Sequence, residues 1–232
     1  MQITGTPWSV KRMSFLIRVQ LPDEPGSLGA LAEAFGNVGG NIKSVDIVEV
    51  SPDGTVIDDI VIEVPPGAMA DILVTAVHSV DGAEVDSIRP FSGRVDRRGQ
   101  IEMLADVALH HTNAQVALDH LVAVIPRSMT ASWAIILDTS DPIRRVSASD
   151  AAPEEDGTAP PSIDVERARV LNPDRESWIP ASWSVLDTAL AAAPLQGTTL
   201  VMAIGRLGGP DFLASEVLHL GNLAAIIGRL LR

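Results

Sequence analysis

The sequence contains no cysteine and no tyrosine, and aromatic residues make up only 3% of it. The lack of cysteine excludes disulfides, thiolate metal ligands and a cysteine nucleophile together. It also fits a reducing compartment. Basic residues are scarce, with 17 Lys and Arg against 30 Asp and Glu and a formal net charge of −13. Such a balance serves solubility and repels both a phosphate backbone and an anionic lipid surface, so neither nucleic acid nor membrane is expected as a partner. No apolar run reaches the roughly 18 residues of a bilayer-spanning helix, and residues 1–12 hold no apolar core of signal-peptide length. The expectation is a soluble, cytoplasmic protein with a flexible start over residues 1–13.

Catalytic constellations are also missing. The histidines are His78, His110, His111, His120 and His219; none is paired at the i, i+4 spacing of a helical zinc site, and none sits in a His-Glu-x-x-His frame. His120 can approach His110 or His111 across a helical junction, but a third ligand is lacking. There is no Gly-x-Ser-x-Gly elbow. Gly205-x-x-Gly208-Gly209 is neither a phosphate loop nor a dinucleotide fingerprint. Asp58 and Asp59 adjoin in a strand pattern, where alternation sends them to opposite faces. The chain therefore reads as non-enzymatic, with neither cofactor nor metal expected.

What is present suffices for two domains: 232 residues, 46% of them hydrophobic. A strand pattern over 14–21 leads through Asp23-Glu24-Pro25-Gly26-Ser27-Leu28 into a helical pattern over 27–38. Pro25 has a fixed φ and no N–H, Gly26 tolerates unusual backbone geometry, and Ser27 can cap the helix. Free amides at such a helix start favour a carboxylate or phosphate, although a plain strand-to-helix turn has the same composition. The helix stops at Gly39-Gly40. Strands follow over 42–50, with Ile42, Ser44, Asp46, Val48 and Val50 on one face, and over 55–64, joined by the turn Ser51-Pro52-Asp53-Gly54. Pro65-Pro66 starts a second helix through Met69, Ile72, Leu73 and Val77, and a last strand covers 83–89. The order is βαββαβ, a ferredoxin-like sandwich.

Asp23-x-Pro25-Gly26-x-Leu28 before a helix, then Gly39-Gly40-Asn41-Ile42 opening the second strand of a βαββαβ frame, resembles an ACT domain over residues 14–91. The resemblance implies a domain that senses an amino acid or related small molecule, dimerises, and holds the effector at the subunit interface. Carried onto this sequence, it makes Asp23 the polar loop residue, with Pro25 shaping the turn. Gly26, Ser27 and Leu28 become amide donors, and Asn41, between Gly40 and Ile42, the side-chain amide facing the ligand. Amide donors suit an α-carboxylate, and the Asp23 carboxylate with the Asn41 carbonyl suits an α-ammonium. The alternative is that Asn41 and Asp23 satisfy only their own turns.

Residues 92–112 read as a linker helix, with Ile101, Leu104, Ala105 and Ala108 on one face. Thr112-x-x-Gln115 resembles a capping box that restarts the helix, although one continuous helix fits as well. Strands are expected over 132–138 and 143–147, then an acid- and Pro-rich solvated loop over 150–161, a further strand over 163–170, strands over 189–194 and 198–205, and a helix over 214–231. Trp178 and Trp183 sit close together, either lining a pocket for an apolar ligand or packing beneath a loop. Leu220, Leu223, Ile227 and Leu230 either bury against their own sheet or, at heptad-like spacing, meet a second subunit.

The run Ala191-Ala192-Ala193-Pro194-Leu195, then Val201-Met202-Ala203-Ile204-Gly205, then Gly209-Pro210-x-Phe212 and Glu216 before a Leu/Ala-rich helix is similar to the closing half of a GAF domain. Residues 113–232 would form this domain, an antiparallel sheet flanked by helices, whose pocket in that family takes a cyclic nucleotide, a small metabolite or nothing. Together the two resemblances imply an α+β regulatory protein. An amino acid would bind at an ACT homodimer interface, and the GAF-like half would relay the signal. The alternative is an interaction module with an empty ACT pocket that serves a protein partner.

Overall fold

The computed structural model describes residues 13–91, 97–110, 112–157 and 162–232. Apart from Met13, the expected flexible start lies outside them, as do His111 and parts of the expected linker and acidic loop. The chain is a mixed α+β protein that divides into two compact units, Met1–Arg94 and Val95–Arg232.

In the first unit the elements run β1 (Met13–Pro22), α1 (Ser27–Asn37), β2 (Asn41–Val50), β3 (Thr55–Val64), α2 (Asp71–His78) and β4 (Glu84–Pro90). The βαββαβ order read from the sequence is therefore present. The sheet order is β2-β3-β1-β4, with every neighbouring pair antiparallel. Alternate residues of the central strands, among them Ile17, Val19, Leu21, Ile60 and Ile62, join Leu31, Phe35, Leu73 and Val77 in one buried core. Burying each such side chain contributes roughly 1.5–3 kcal/mol.

Two local expectations change. The N-cap of α1 is Gly26, at φ 104°, and no side chain caps the helix; Ser27 is already its first residue. Gly26 takes the left-handed backbone that only glycine adopts cheaply, so the turn closes without a side-chain cap. In β2 the ladder shifts between Ile42 and Ser44 and again between Ile47 and Glu49. Ile42 and Val50 therefore lie opposite the core residues Ile62 and Val56, whereas Ser44 and Asp46 lie opposite Val61 and Asp59 on the other face. These bulges break the expected alternation.

The second unit comprises α3 (Arg97–Leu109), α4 (Ala114–Ser128), β5 (Trp133–Asp138), β6 (Arg144–Ala148), β7 (Arg169–Leu171), β8 (Ala189–Pro194), β9 (Leu200–Arg206) and α5 (Ala214–Leu230). Two separate helices thus replace the continuous one that the sequence also allowed. The cap of the second is Asn113, whose Oδ1 accepts from Val116 N, rather than Thr112. Gln115 donates instead to Asp119 and to the Val146 carbonyl. The segment read as a linking helix contributes Met103 and Val107 to this unit's core.

The five-stranded sheet has the order β6-β5-β9-β8-β7 and is antiparallel throughout. Both of its faces are buried, which explains why its central strands are apolar until their last residues, Asp138 in β5 and Arg206 in β9. Ala134, Ile136, Ala191, Met202 and Ile204 pack on the helices with Leu220, Leu223 and Ile227, so α5 is buried against its own sheet. Trp133, Ile135, Leu190 and Ala203 pack on the opposite side with Val165, Trp178 and Trp183. Only Arg169–Leu171 of the strand expected over 163–170 joins the ladder; the rest of that segment covers the sheet with side chains. Trp133 lies across from Gly205, where a Cβ would come within 2.1 Å of the indole.

Candidate functional site

At the α1 start, Ser27 N donates to Glu24 O and Ala30 N to Gly26 O. The amides of Leu28 and Gly29 make no hydrogen bond among the described residues. Asp23, Pro25, Gly26 and Leu28 are exposed and Ser27 is half-buried. Asp23 N donates to Gly54 O, which ties the turn to the end of β3 that begins with Thr55.

Asn41 is exposed and pairs with Glu63 at the other end of β3, with half-buried Gly40 and Ile42 beside it. A Cβ on Gly40 would sit 3.0 Å from Phe35 O, so glycine there permits a close approach of backbone to backbone. At about 3.3 Å per residue, the span from Thr55 to Glu63 separates Asp23 from Asn41 by about 26 Å. One copy of the chain thus gathers Asp23, Pro25, Gly26, Ser27 and Leu28, but not Gly40, Asn41 and Ile42 with them.

Asp58 and Asp59 do face opposite sides, with different fates. Arg18 holds Asp59 through two bonds, Nε to Oδ1 at 2.7 Å and Nη2 to Oδ2 at 2.8 Å, in a buried pair. Asp58 falls between Val56 and Ile60 on the helix-facing side, is fully buried, and its carboxylate finds no hydrogen-bond partner among the described residues. Burial pushes its pKa up to about 6, with like charge on Asp59 and then Asp23 adding to the rise. The sequence pattern missed this group because apolar residues flank it on both faces.

The second unit contains a cavity of about 320 Å³. Its apolar wall is made by Leu137, Ile163, Trp178 and Trp183, and Arg145 adds a cation. The Trp183 ring meets Trp133 edge-on at 5.5 Å and Trp178 at 6.2 Å. The tryptophan pair packs beneath the covering segment, and both rings also line the cavity. Trp178 Nε1 donates to Glu176 at 3.0 Å, whereas Trp183 Nε1 is buried without an acceptor among the described residues. Arg145 donates through Nη1 to Pro153 O at 2.7 Å and stands 3.6 Å from Glu155. Burial pushes the guanidinium pKa down, opposed by the charges of Glu155 and Asp156.

His110 and His120 do come together, ring centres 5.3 Å apart, with His120 Nδ1 3.7 Å from Asp106. Among the described residues no group of three or more His, Cys, Asp or Glu is placed to hold a metal ion, and no helix is long and apolar enough to cross a membrane.

No family model and no curated protein matches the chain. Among solved structures it is similar to the GAF domain of a phosphoenolpyruvate-protein phosphotransferase from Coxiella burnetii, with 14% identity over 57% of this chain and 92% of that one at a TM-score of 0.42. It is also similar to the GAF domain of the Acinetobacter phosphoenolpyruvate-protein phosphotransferase, with 12% identity over 61% of this chain and 94% of that one at a TM-score of 0.41.

Proposed function

We propose that the chain is a non-enzymatic regulatory protein that senses an amino acid, or a related small metabolite, at an ACT-type interface between two copies. A ferredoxin-like first unit would bind the effector and a GAF-like second unit would relay the signal. The carrying observation is the uncapped start of α1, whose Leu28 and Gly29 amides have no partner among the described residues and stand beside an exposed Asp23. Two adjacent amides at a helix start suit a carboxylate. Because Asn41 lies at the far end of the sheet, an effector that uses both groups takes them from different copies. The effector then binds the dimer better than the monomer, which is a differential affinity able to shift an equilibrium.

An edge strand supports the pairing of copies. β2 ends the sheet, and Val45, Ile47 and Val50 along it are 43%, 55% and 60% exposed. Lys43, Asp46, Glu49 and the two bulges interrupt this edge, so what it offers for strand addition is the short apolar stretches between them. A thermal-shift screen against the twenty amino acids, run beside light scattering, tests the reading. One amino acid should raise the melting temperature and favour the dimer, and Asn41→Ala should remove both effects. Absence of any shift, with a monomer throughout, would leave the interaction-module alternative in its place.

A further inference from the structure

The bulges of β2 sort its side chains. Ile42, Val45, Ile47 and Val50 lie on the helix-facing side, opposite Ile62, Ile60, Asp58 and Val56. Ser44, Asp46 and Glu49 lie on the other side, opposite Val61, Asp59 and Ile57, and Lys43 reaches Glu63 at 2.9 Å. The apolar row is symmetric about Asp46. A second β2 running in reverse sets Val45 against Ile47 and Ile42 against Val50, each pair twice, and brings Lys43 across from Glu49. A self-complementary edge fits a second copy of this chain, because a two-fold axis places one patch on both partners. In the same register Asn41 of one copy lies across from Ser51 of the other, at the turn that Gly54 O ties to Asp23. Two groups that a single copy keeps at opposite ends of β3 then meet.

Asp58 stands one strand in from this edge. Its cross-strand neighbour towards the edge is Ile47, 55% exposed, whereas the Asp58 carboxylate is fully buried and unpartnered among the described residues. On the β1 side it faces Val19, and the helices present Leu31, Phe35, Leu73 and Val77 to this core, with Glu33, Asp71 and His78 exposed. Arg18 of β1 and Asp46 and Glu49 of β2 lie on the opposite face. The charges that act on Asp58 are those of Asp59 and Asp23, and both oppose its own; its pKa of about 6 in the single copy places its titration near neutral pH. Covering Ile47 takes solvent from the flank of Asp58 and disfavours its charged form further. A dimer that holds a proton more tightly than its separate copies gains strength as pH falls. Building on the sensing reading above, we propose that two copies pair along reversed β2 strands centred on Asp46 and that Asp58 takes up a proton as they pair, so that acid favours the regulatory dimer. The Asp46 carboxylates of the two copies meet across the axis on the other face, where like charges oppose pairing. Their effect has the same sign and is separated from that of Asp58 by substitution.

The test is sedimentation velocity of the full chain over a range of concentrations at about pH 5.5 and about pH 8, alone and with each of the twenty amino acids. The dimer should weaken about tenfold or more between the two conditions, because each unit that pairing adds to the Asp58 pKa is worth about tenfold in each copy. Asp58→Asn, which cannot ionise, should pair with nearly equal strength in both. Asp46→Asn should pair more tightly and keep the pH dependence. The register is read separately, since the chain has no cysteine of its own. A mixture of Val45→Cys and Ile47→Cys chains should oxidise to the mixed disulfide in preference to either symmetric one. A dimer of equal strength at both pH values, an undiminished pH dependence in Asp58→Asn, or no preference for the mixed disulfide would each overturn the proposal. An amino acid that still promoted such a dimer would leave the sensing reading standing, whereas a monomer in every condition would remove both.

Discussion

Arg206 of the second unit and Asp58 of the first treat buried charge in opposite ways, and the buried Arg18–Asp59 pair of the first unit sides with Arg206. In the second, Arg206 is fully buried and completely engaged: it donates to the Met129, Thr130 and Pro210 carbonyls and to the Thr130 hydroxyl, pairs with Glu216 and lies 4.1 Å from the Phe212 ring centre. In the first, Asp58 is equally buried and its carboxylate is unpartnered among the described residues. A charge in an apolar interior either recruits a full set of partners or gives up its charge, and both solutions occur within 232 residues. Arg206 joins the end of β9 to the turn after α4 and the start of α5, so its charge serves architecture. Asp58 joins nothing among the described residues, and burial raises its pKa.

Removing the completely satisfied charge should have the largest effect. Arg206→Met strands Glu216 and several carbonyls, and it should cost about 3–5 kcal/mol. Urea unfolding should locate that loss in the second unit's transition; a cost below 1 kcal/mol would mean that the network closes around water instead.

Asp58 sharpens the contrast because its effect has the opposite sign. The folded state holds the Asp58 proton more tightly than the unfolded chain does. The contribution is therefore fully present below the unfolded value of 3.8 and is lost as pH rises through about 6. The corresponding free energy is up to about 3 kcal/mol. Asp58→Asn should accordingly stabilise the first unit at pH 8 and change it little at pH 4. Unfolding curves across that range would show a flatter pH dependence, and parallel curves for the two proteins would remove Asp58 from the argument.

Much of this arrangement was legible in advance. Helices and strands followed hydrophobic period, and Gly39, at φ 76°, terminates α1 as its composition implied. The contrast between the buried charges was not legible. Alternation told that Asp58 and Asp59 part, but with Val56, Ile57, Ile60 and Val61 around them it could not say which side was the core. The cavity was equally silent, since Arg145 and Trp183, which both line it, stand 38 positions apart in the chain. The strand expected over 163–170 was overcalled because β-branched and apolar residues serve as well to cover a sheet as to extend it.

Two smaller effects test how each unit sets its helix starts. Gly26→Ala has open space around the new Cβ, so its expected cost of about 1 kcal/mol is that of the left-handed backbone alone. Asn113→Ala removes a side-chain cap of 3.5 Å and should cost about 0.5–1 kcal/mol. Chemical denaturation of both variants should rank them in that order; the reverse would mean that the α1 turn relaxes to another backbone shape.

Gly205 links strand pairing to the packing of the tryptophan wall. It is not part of the lining that Trp183 helps to form, yet its missing side chain is the space in which the Trp133 indole lies, and Trp133 in turn meets Trp183 edge-on. A methyl group at 205 would displace the first indole and through it the second, changing the shape of the wall from a position outside it. Position 205 is accordingly free to gain a side chain only if position 133 gives up its indole, so a lineage that exchanged both would keep the sheet and reshape the wall.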